Sequence, residues 1–126
     1  MAYAGCCGRL HRGEAEAVTA EELMRSRYSA FAVGDDAYLL RSWHPDTRPV
    51  TVHRRDGERW TGLRILGTVA GGLGDTTGQV DFEAAYEGAD GPGLVCELSD
   101  FTRYEGRWVY VSACRDRGSA RRWDRR

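Results

Sequence analysis

The apolar positions of this chain change their period once. Ala20, Leu23, Met24, Tyr28 and Phe31 recur at helical spacing, with Arg27 on the same stripe. Thr19-Ala20-Glu21-Glu22 has the form of a capping box, in which the Thr19 hydroxyl accepts from the Glu22 amide and the Glu22 side chain reaches back. Gly34 is a natural stop. Together they predict a helix over 20–33. Asp35 or Asp36 then caps a shorter helix through Tyr38, Leu39, Leu40 and Trp43, which Pro45 ends. Residues 45–59 are polar, broken by Pro49 and by Asp56-Gly57, and read as an irregular connection.

From Trp60 onward the pattern is that of strands. WTGLRILGTVAGG, TGQVDFEAAYEG, GLVCELSDFTRYEG and RWVYVSACRD are four strand candidates. Turns rich in glycine separate them: Gly71-Gly72, Gly74-Asp75, Asp90-Gly91 and Glu105-Gly106. Val80, Phe82, Ala84 and Tyr86 alternate with Asp81, Glu83 and Glu87 on the other face. Helices followed by antiparallel strands mean an α+β domain. The sheet must bury one face, and the two helices are the elements available to cover it, helped by a partner subunit if the chain forms a homodimer through its open sheet face. A strongly curved antiparallel sheet wrapped around helices leaves a cavity between the layers.

Composition narrows the function classes. The 126 residues suit one domain, and 41% hydrophobic content argues against disorder. Net charge is −1, so no global field draws nucleic acid or an anionic membrane. All 18 basic residues are arginine, so no lysine can form a Schiff base. No window approaches the roughly 20 apolar residues of a membrane span, and no signal-peptide run opens the chain. A cytoplasmic location follows as the expectation. The four cysteines then read as free thiols or metal ligands rather than a disulfide framework. The tail, RGSARRWDRR, is basic, and with Trp123 it has the residues to touch RNA or an acidic partner; the plainer reading is a solvated, flexible end, and nucleic acid is not the expected partner.

Three stretches carry a family resemblance. LMRSRYSAF at 23–31, SWHP at 42–45 and W-x-G-L-x-I at 60–65 resemble the YchJ-like family of uncharacterised bacterial proteins, and FTRYEGRWVYV at 101–111 is similar to that family's last hairpin. The resemblance implies a cone-shaped fold like nuclear transport factor 2, and no known reaction. It also implies a zinc motif at the N-terminus, called SEC-C, which resembles the metal hook of the SecA translocase. Tyr3, Cys6, Cys7 and Gly8 match the second half of that motif. The first half, Cys-x-Cys, has no counterpart in this sequence. Zinc in a structural site takes four thiolate or imidazole ligands. Cys6, Cys7 and His11 supply a partial set. Three explanations stand side by side: a start placed too late, a remnant that binds no metal, or a fourth ligand from Cys114, Cys96 or a second subunit. The domain organisation expected is a truncated SEC-C-like appendage at 1–17, the cone domain at 18–116 and the basic tail at 117–126.

For the cone, Arg25, Tyr28, Trp43, His44, Trp60, Tyr86, Glu97, Asp100 and Phe101 are the pocket candidates. An apolar pocket with a few convergent polar groups is the usual small-molecule site, and desolvation there suits a carboxylate to acid–base work. Cone-shaped relatives include isomerases and cyclases of that kind, an analogy of fold alone. Each candidate has a structural reading beside the functional one. His44 can cap a helix end, Arg25 and Arg27 can bridge to Glu21, Glu22, Glu97 or Asp100, and Trp43 and Trp60 can be core. Cys96 stands where the YchJ-like pattern usually has histidine, and it reads as a small buried hydrophobe. Two functions follow: a cone domain that binds a small molecule, its reaction unknown, or a non-enzymatic adaptor whose zinc hook docks on another protein.

Overall fold

The Thr19 capping box forms, and it fixes where the first long helix begins. The Glu22 amide donates to Thr19 Oγ1 at 3.1 Å, while Glu22 Oε1 accepts from the Val18 amide at 2.8 Å, one residue further back than a strict box. In this computed structural model, which describes residues 7–13, 16–52 and 59–116, the elements are α1 (Cys7–His11), α2 (Ala20–Val33), α3 (Asp36–Arg41), β1 (Arg59–Ala70), β2 (Thr77–Gly88), β3 (Gly91–Tyr104) and β4 (Arg107–Asp116). Gly34 ends α2 in the left-handed region (φ 82°), and Asp35 caps α3 by accepting from the Tyr38 amide. No described helix is long and apolar enough to cross a membrane.

The strands form one antiparallel meander in the order β1-β2-β3-β4. β3 starts at Gly91 and runs through Pro92, two residues earlier than the sequence pattern suggests, because proline is tolerated near the first residue of a strand. Val80, Phe82, Ala84 and Tyr86 of β2 and Val95, Glu97, Ser99 and Phe101 of β3 are buried on one face. Register bulges interrupt the outer pairs, at Trp60/Gly62 and Ile65/Gly67 in β1 and beside Ser99 and Phe101 in β3. α2 lies against this face and touches β1, β2 and β4. Its buried stripe is Ala20, Leu23, Met24, Arg27, Ala30 and Phe31. Residues of the size of Phe82, Met24 and Leu39, all essentially inaccessible, each contribute about 1.5–3 kcal/mol by leaving water.

Three tertiary fastenings lie beyond any periodicity. The outer edge of β4 is covered by residues 42–44, where the His44 amide donates to the Tyr110 carbonyl and the Tyr110 amide to the Ser42 carbonyl, both at 2.8 Å. At one end of the sheet, Arg103 stacks on Trp108 (4.6 Å) and donates to the carbonyls of Leu73 and Asp75, both at 2.8 Å. The Trp108 indole reaches the Val18 carbonyl, and the Ala20 amide the Gly71 carbonyl, so the start of α2 is tied to both hairpins. Finally, α1 packs on α2. Leu10 is 2% exposed and part of the core, and Arg41 donates to the Leu10 and His11 carbonyls. A five-residue helix is too short to show a period, so the sequence pattern does not reveal it.

The turn from β1 to β2 requires glycine twice. Gly71 has φ 80°, and a Cβ on Gly78 would lie 2.5 Å from Gly71 Cα. Gly78→Ala should therefore cost about 1–3 kcal/mol in urea unfolding, whereas Gly62→Ala, whose Cβ would meet nothing within 4 Å, should stay within about 1 kcal/mol of the native chain.

Candidate functional site

Arg27 and Tyr28 are neighbours on α2 and point towards different parts of the core, about 100° apart around a helix axis. Tyr28 leans to the β1 side. Its ring meets Trp60 edge-on at 6.2 Å, Phe31 lies 6.3 Å from the same indole, and Trp60 meets Tyr86 at 5.4 Å. Tyr86 crosses β3 at Gly93, where a Cβ would come within 2.3 Å of the ring. Glycine is therefore required there by close approach. Tyr28, Trp60, Leu63, Ile65 and Val52 are only partly buried and form a rim against the sealed core.

Arg27 turns the other way and is 3% exposed. Its NH1 group donates to the Leu39 carbonyl at 2.9 Å and to Ser42 Oγ at 2.8 Å. Its guanidinium carbon lies 4.8 Å from the centre of the Trp43 ring and 4.5 Å from that of Tyr110. Trp43 meets Tyr110 edge-on at 5.2 Å, and Phe101 meets Tyr110 at 5.7 Å. Cation–π contacts of a desolvated guanidinium contribute about 2 kcal/mol each, and they help offset the cost of burying the charge. The Trp43 indole nitrogen is buried and has no hydrogen-bond partner among the described residues.

Between the two aromatic groups lies the floor of the sheet. Glu97, fully buried, faces Phe82 across the β2–β3 ladder, and its Oε1 accepts from Ser99 Oγ at 3.4 Å. A third polar group sits under α1. Ser26 Oγ donates to the Leu23 carbonyl at 2.7 Å, so the Tyr38 hydroxyl, 2.7 Å away, must donate to Ser26. His11 Nε2 lies 2.8 Å from the Ser26 carbonyl and therefore carries a proton, while Nδ1 faces Asp35 Oδ2 at 3.9 Å.

The structure thus divides the residues singled out in the sequence. Tyr28, Trp60 and Tyr86 meet at one pole, Trp43 and Phe101 at the other, and Glu97 lies on the floor. Arg25 is on the outside of α2, paired with Glu21 at 3.0 Å. Asp100 is on the opposite face of β3 from Glu97 and accepts from Gln79 Nε2 at 2.9 Å. His44 meets Tyr104 edge-on at 5.0 Å, and its Nδ1 accepts from the Asp46 amide at 3.0 Å, which starts a turn after the β4-edge pairing. Cys96 is half-buried and faces Glu83 in the β2–β3 register. Ser26, Tyr38, Ser42 and Tyr110 were not among the residues singled out for a site. Alternation along β4 carries a signal for Tyr110, but nothing in the sequence pairs it with Arg27.

Of the zinc candidates, Cys6 lies outside the described residues, as does the tail at 117–126, and nothing is described of the Cys7 side chain. With Nε2 bound to Ser26, His11 has only Nδ1 to offer a metal. Among the described residues no three His, Cys, Asp or Glu side chains converge on a metal position, so those residues do not by themselves make up a zinc site.

With this geometry in hand, the relatives fall into place. A family model described as "YchJ, middle NTF2-like domain" matches residues 19–113. The chain belongs to the YchJ family. It is 54% identical to a UPF0225 protein of Streptomyces coelicolor over 86% of this chain and 85% of that one, and 46% identical to a UPF0225 protein of Deinococcus radiodurans over 88% and 81%. Among solved structures it resembles a SEC-C motif containing protein from Rhodopseudomonas palustris, with a TM-score of 0.76 and 28% identity over 88% of this chain and 89% of that one. A second such protein, from Psychrobacter arcticus, has a TM-score of 0.72 and 27% identity over 89% and 71%. The YchJ-like reading of the sequence is thereby shown, and with it the α+β class.

In this YchJ-family domain, burial raises the pKa of two tyrosines. Desolvation raises the Tyr38 hydroxyl above its ordinary 10.0, opposed by the Ser26 hydrogen bond and by Arg27 and Arg41, and helped by Glu16. Desolvation likewise raises Tyr28, opposed by a backbone hydrogen bond from Gly62. The unfolded chain releases these protons first. Stability should therefore be level below about pH 10 and fall as pH rises above it. Chemical unfolding between pH 8 and 11 checks this, and Tyr38→Phe should lessen the alkaline loss.

Proposed function

We propose that this domain binds a small organic molecule between α2 and the inner face of the sheet, entering over the Tyr28–Trp60 rim. The observation that carries the reading is the composition of the interior. A fully buried carboxylate, Glu97, and a buried guanidinium, Arg27, share one core with aromatic rings that meet edge-on. Charges are costly to bury and are seldom kept in a core where apolar packing would serve as well. The cone shape associated with the family supports the same reading, and the bulges in β1 and β3 are of the kind that bends a sheet. With a ligand in place, Glu97, steadied by Ser99, is the group positioned to exchange a proton with it.

Gentle native mass spectrometry of freshly purified protein should show a bound small molecule that leaves on denaturation. Glu97→Gln, which keeps the shape and removes the charge, should fold and weaken its retention about tenfold or more. An interior that retains nothing, and shows no thermal shift with any member of a small-molecule library, would refute the proposal.

A second reading is favoured by the relatives. Both solved neighbours are named as SEC-C motif containing proteins, and α1, which Cys7 opens, is fastened to α2 and α3 at its other end, through His11 and the carbonyls of Leu10 and His11. On this reading Cys6 and Cys7 supply thiolates to a zinc hook that serves as a docking module for another protein, without catalysis. Elemental mass spectrometry of the purified chain should then give close to one zinc per protein, lost on Cys6→Ser; a content near zero eliminates the hook.

A further inference from the structure

The outer face of β2 carries a row of carboxylates that β1 meets with arginine. Asp81, Glu83 and Glu87 alternate with the buried Val80, Phe82, Ala84 and Tyr86. From the β1 side, Arg64 donates to Glu83 Oε1 at 3.1 Å and Arg59 to Glu87 Oε1 at 2.8 Å. A carboxylate has two oxygens and can take a second guanidinium. On the other flank, β3 sets Leu98, Cys96, Leu94 and Pro92 beside Asp81, Glu83, Ala85 and Glu87. None of these is a cation. The next strand, about 10 Å from β2, is β4.

The ladder between β3 and β4 runs from Tyr104↔Arg107 to Glu97↔Asp116, whereas β3 itself reaches back to Gly91. The sequence continues as RGSARRWDRR at 117–126, outside the described residues. Carried on in the same register, Arg117 falls opposite Cys96, Ser119 opposite Leu94 and Arg121 opposite Pro92. Arg115 already stands opposite Leu98. Every acidic row of the outer face then ends in arginine: Asp81 with Arg115, Glu83 with Arg117 and Glu87 with Arg121. The neutral row of Ala85 and Leu94 ends in Ser119. The positions between, Gly118 and Ala120, fall beside Val95 and Gly93 on the inner face, where Tyr86 passes so close that Gly93 itself admits no Cβ. A slip by one residue would set Asp116 in the row of Asp81 and Gly118 in that of Glu83, and the match would be lost.

We propose that residues 117–121 dock on the Gly91–Cys96 half of β3 as a continuation of β4, seated by Arg115, Arg117 and Arg121 against the carboxylates of β2. The basic C-terminal segment is then a strap of the sheet. Its arginines serve the chain's own acidic rows and not a nucleic acid. The inference stands apart from the ligand-binding reading.

The test uses double-cysteine variants of the full chain. Leu94→Cys with Ser119→Cys should close a disulfide under mild oxidation, told apart from the native thiols by peptide mass mapping. It should close about tenfold faster than Leu94→Cys with Ala120→Cys, whose second cysteine falls on the opposite face. Adding Arg117→Glu and Arg121→Glu to the first pair should slow its closure about tenfold. Raising salt from about 20 mM to about 500 mM should slow it several-fold without those changes. Leu94 is 43% exposed and the other positions lie beyond Asp116, so the core should stay folded, which the melting temperature checks. Equal rates for the two pairs overturn the docking. Closure that ignores both charge reversal and salt overturns the seating by arginine. Slow closure of both pairs in a chain that binds single-stranded RNA at physiological salt overturns the proposal too, and assigns the tail to nucleic acid.

Discussion

The fold is organised around one buried guanidinium. Arg27 leaves the centre of α2 and meets the end of α3 at the Leu39 carbonyl, the following segment at Ser42, and the rings of Trp43 and Tyr110. Those contacts hold residues 42–44 against β4, and that pairing closes the edge of the sheet that would otherwise stand open. A lysine could not replace it. Its compact ammonium lacks the flat surface that lies against two rings while also donating in two directions. The α2–α3 corner, the β4 edge and one pole of the interior thus share a single side chain.

The remaining fastenings are placed around that centre. Arg103 and Trp108 lock the β1–β2 hairpin to the start of α2, and Arg41 and His11 lock α1 to its flank. Each uses a guanidinium that spans several carbonyls and also lies over an aromatic ring: Arg103 on Trp108, Arg41 on Tyr38. In a chain without lysine, arginine serves as both the solvated cation, as in the Arg59–Glu87 and Arg64–Glu83 pairs on the outer face, and the connector between elements, buried at Arg27, half-buried at Arg103 and exposed at Arg41. The exposed pairs contribute little to stability. Arg27, which is buried, decides the geometry of the interior.

Much of the architecture was legible because it follows from local rules. Thr19, Gly34 and Asp35 mark helix ends by groups their own backbone needs, and the alternation of Val80, Phe82, Ala84 and Tyr86 reports a half-buried strand. The pocket candidates were legible only as a set of types. Tyr28, Trp60 and Tyr86 do meet, whereas Asp100 and Arg25 face outward. The difference is one of phase: Asp100 and Phe101 are adjacent and must take opposite faces, and only burial of Phe101 selects which one enters. Arg25 lies two residues before Arg27, about 200° around the helix, and goes to solvent for the same reason.

By itself the sequence determined the order of elements from α2 onward, both ends of α2 and the start of α3, the alternation of the strands and membership of the YchJ family, because these depend on neighbours within a few residues or on shared sequence. The end of α3 at Arg41, short of the Trp43 that the pattern suggests, was set by the pairing of residues 42–44 with β4. Tertiary structure alone decided that Arg27 is enclosed by Trp43 and Tyr110, that residues 42–44 act as a cover for β4, and that Leu10 belongs to the core. Those contacts join positions tens of residues apart. No period or composition encodes which distant side chain will meet a buried charge. Packing selects the partner, because the cost of leaving a buried polar group unpaired is met only where the chain brings a suitable surface to it.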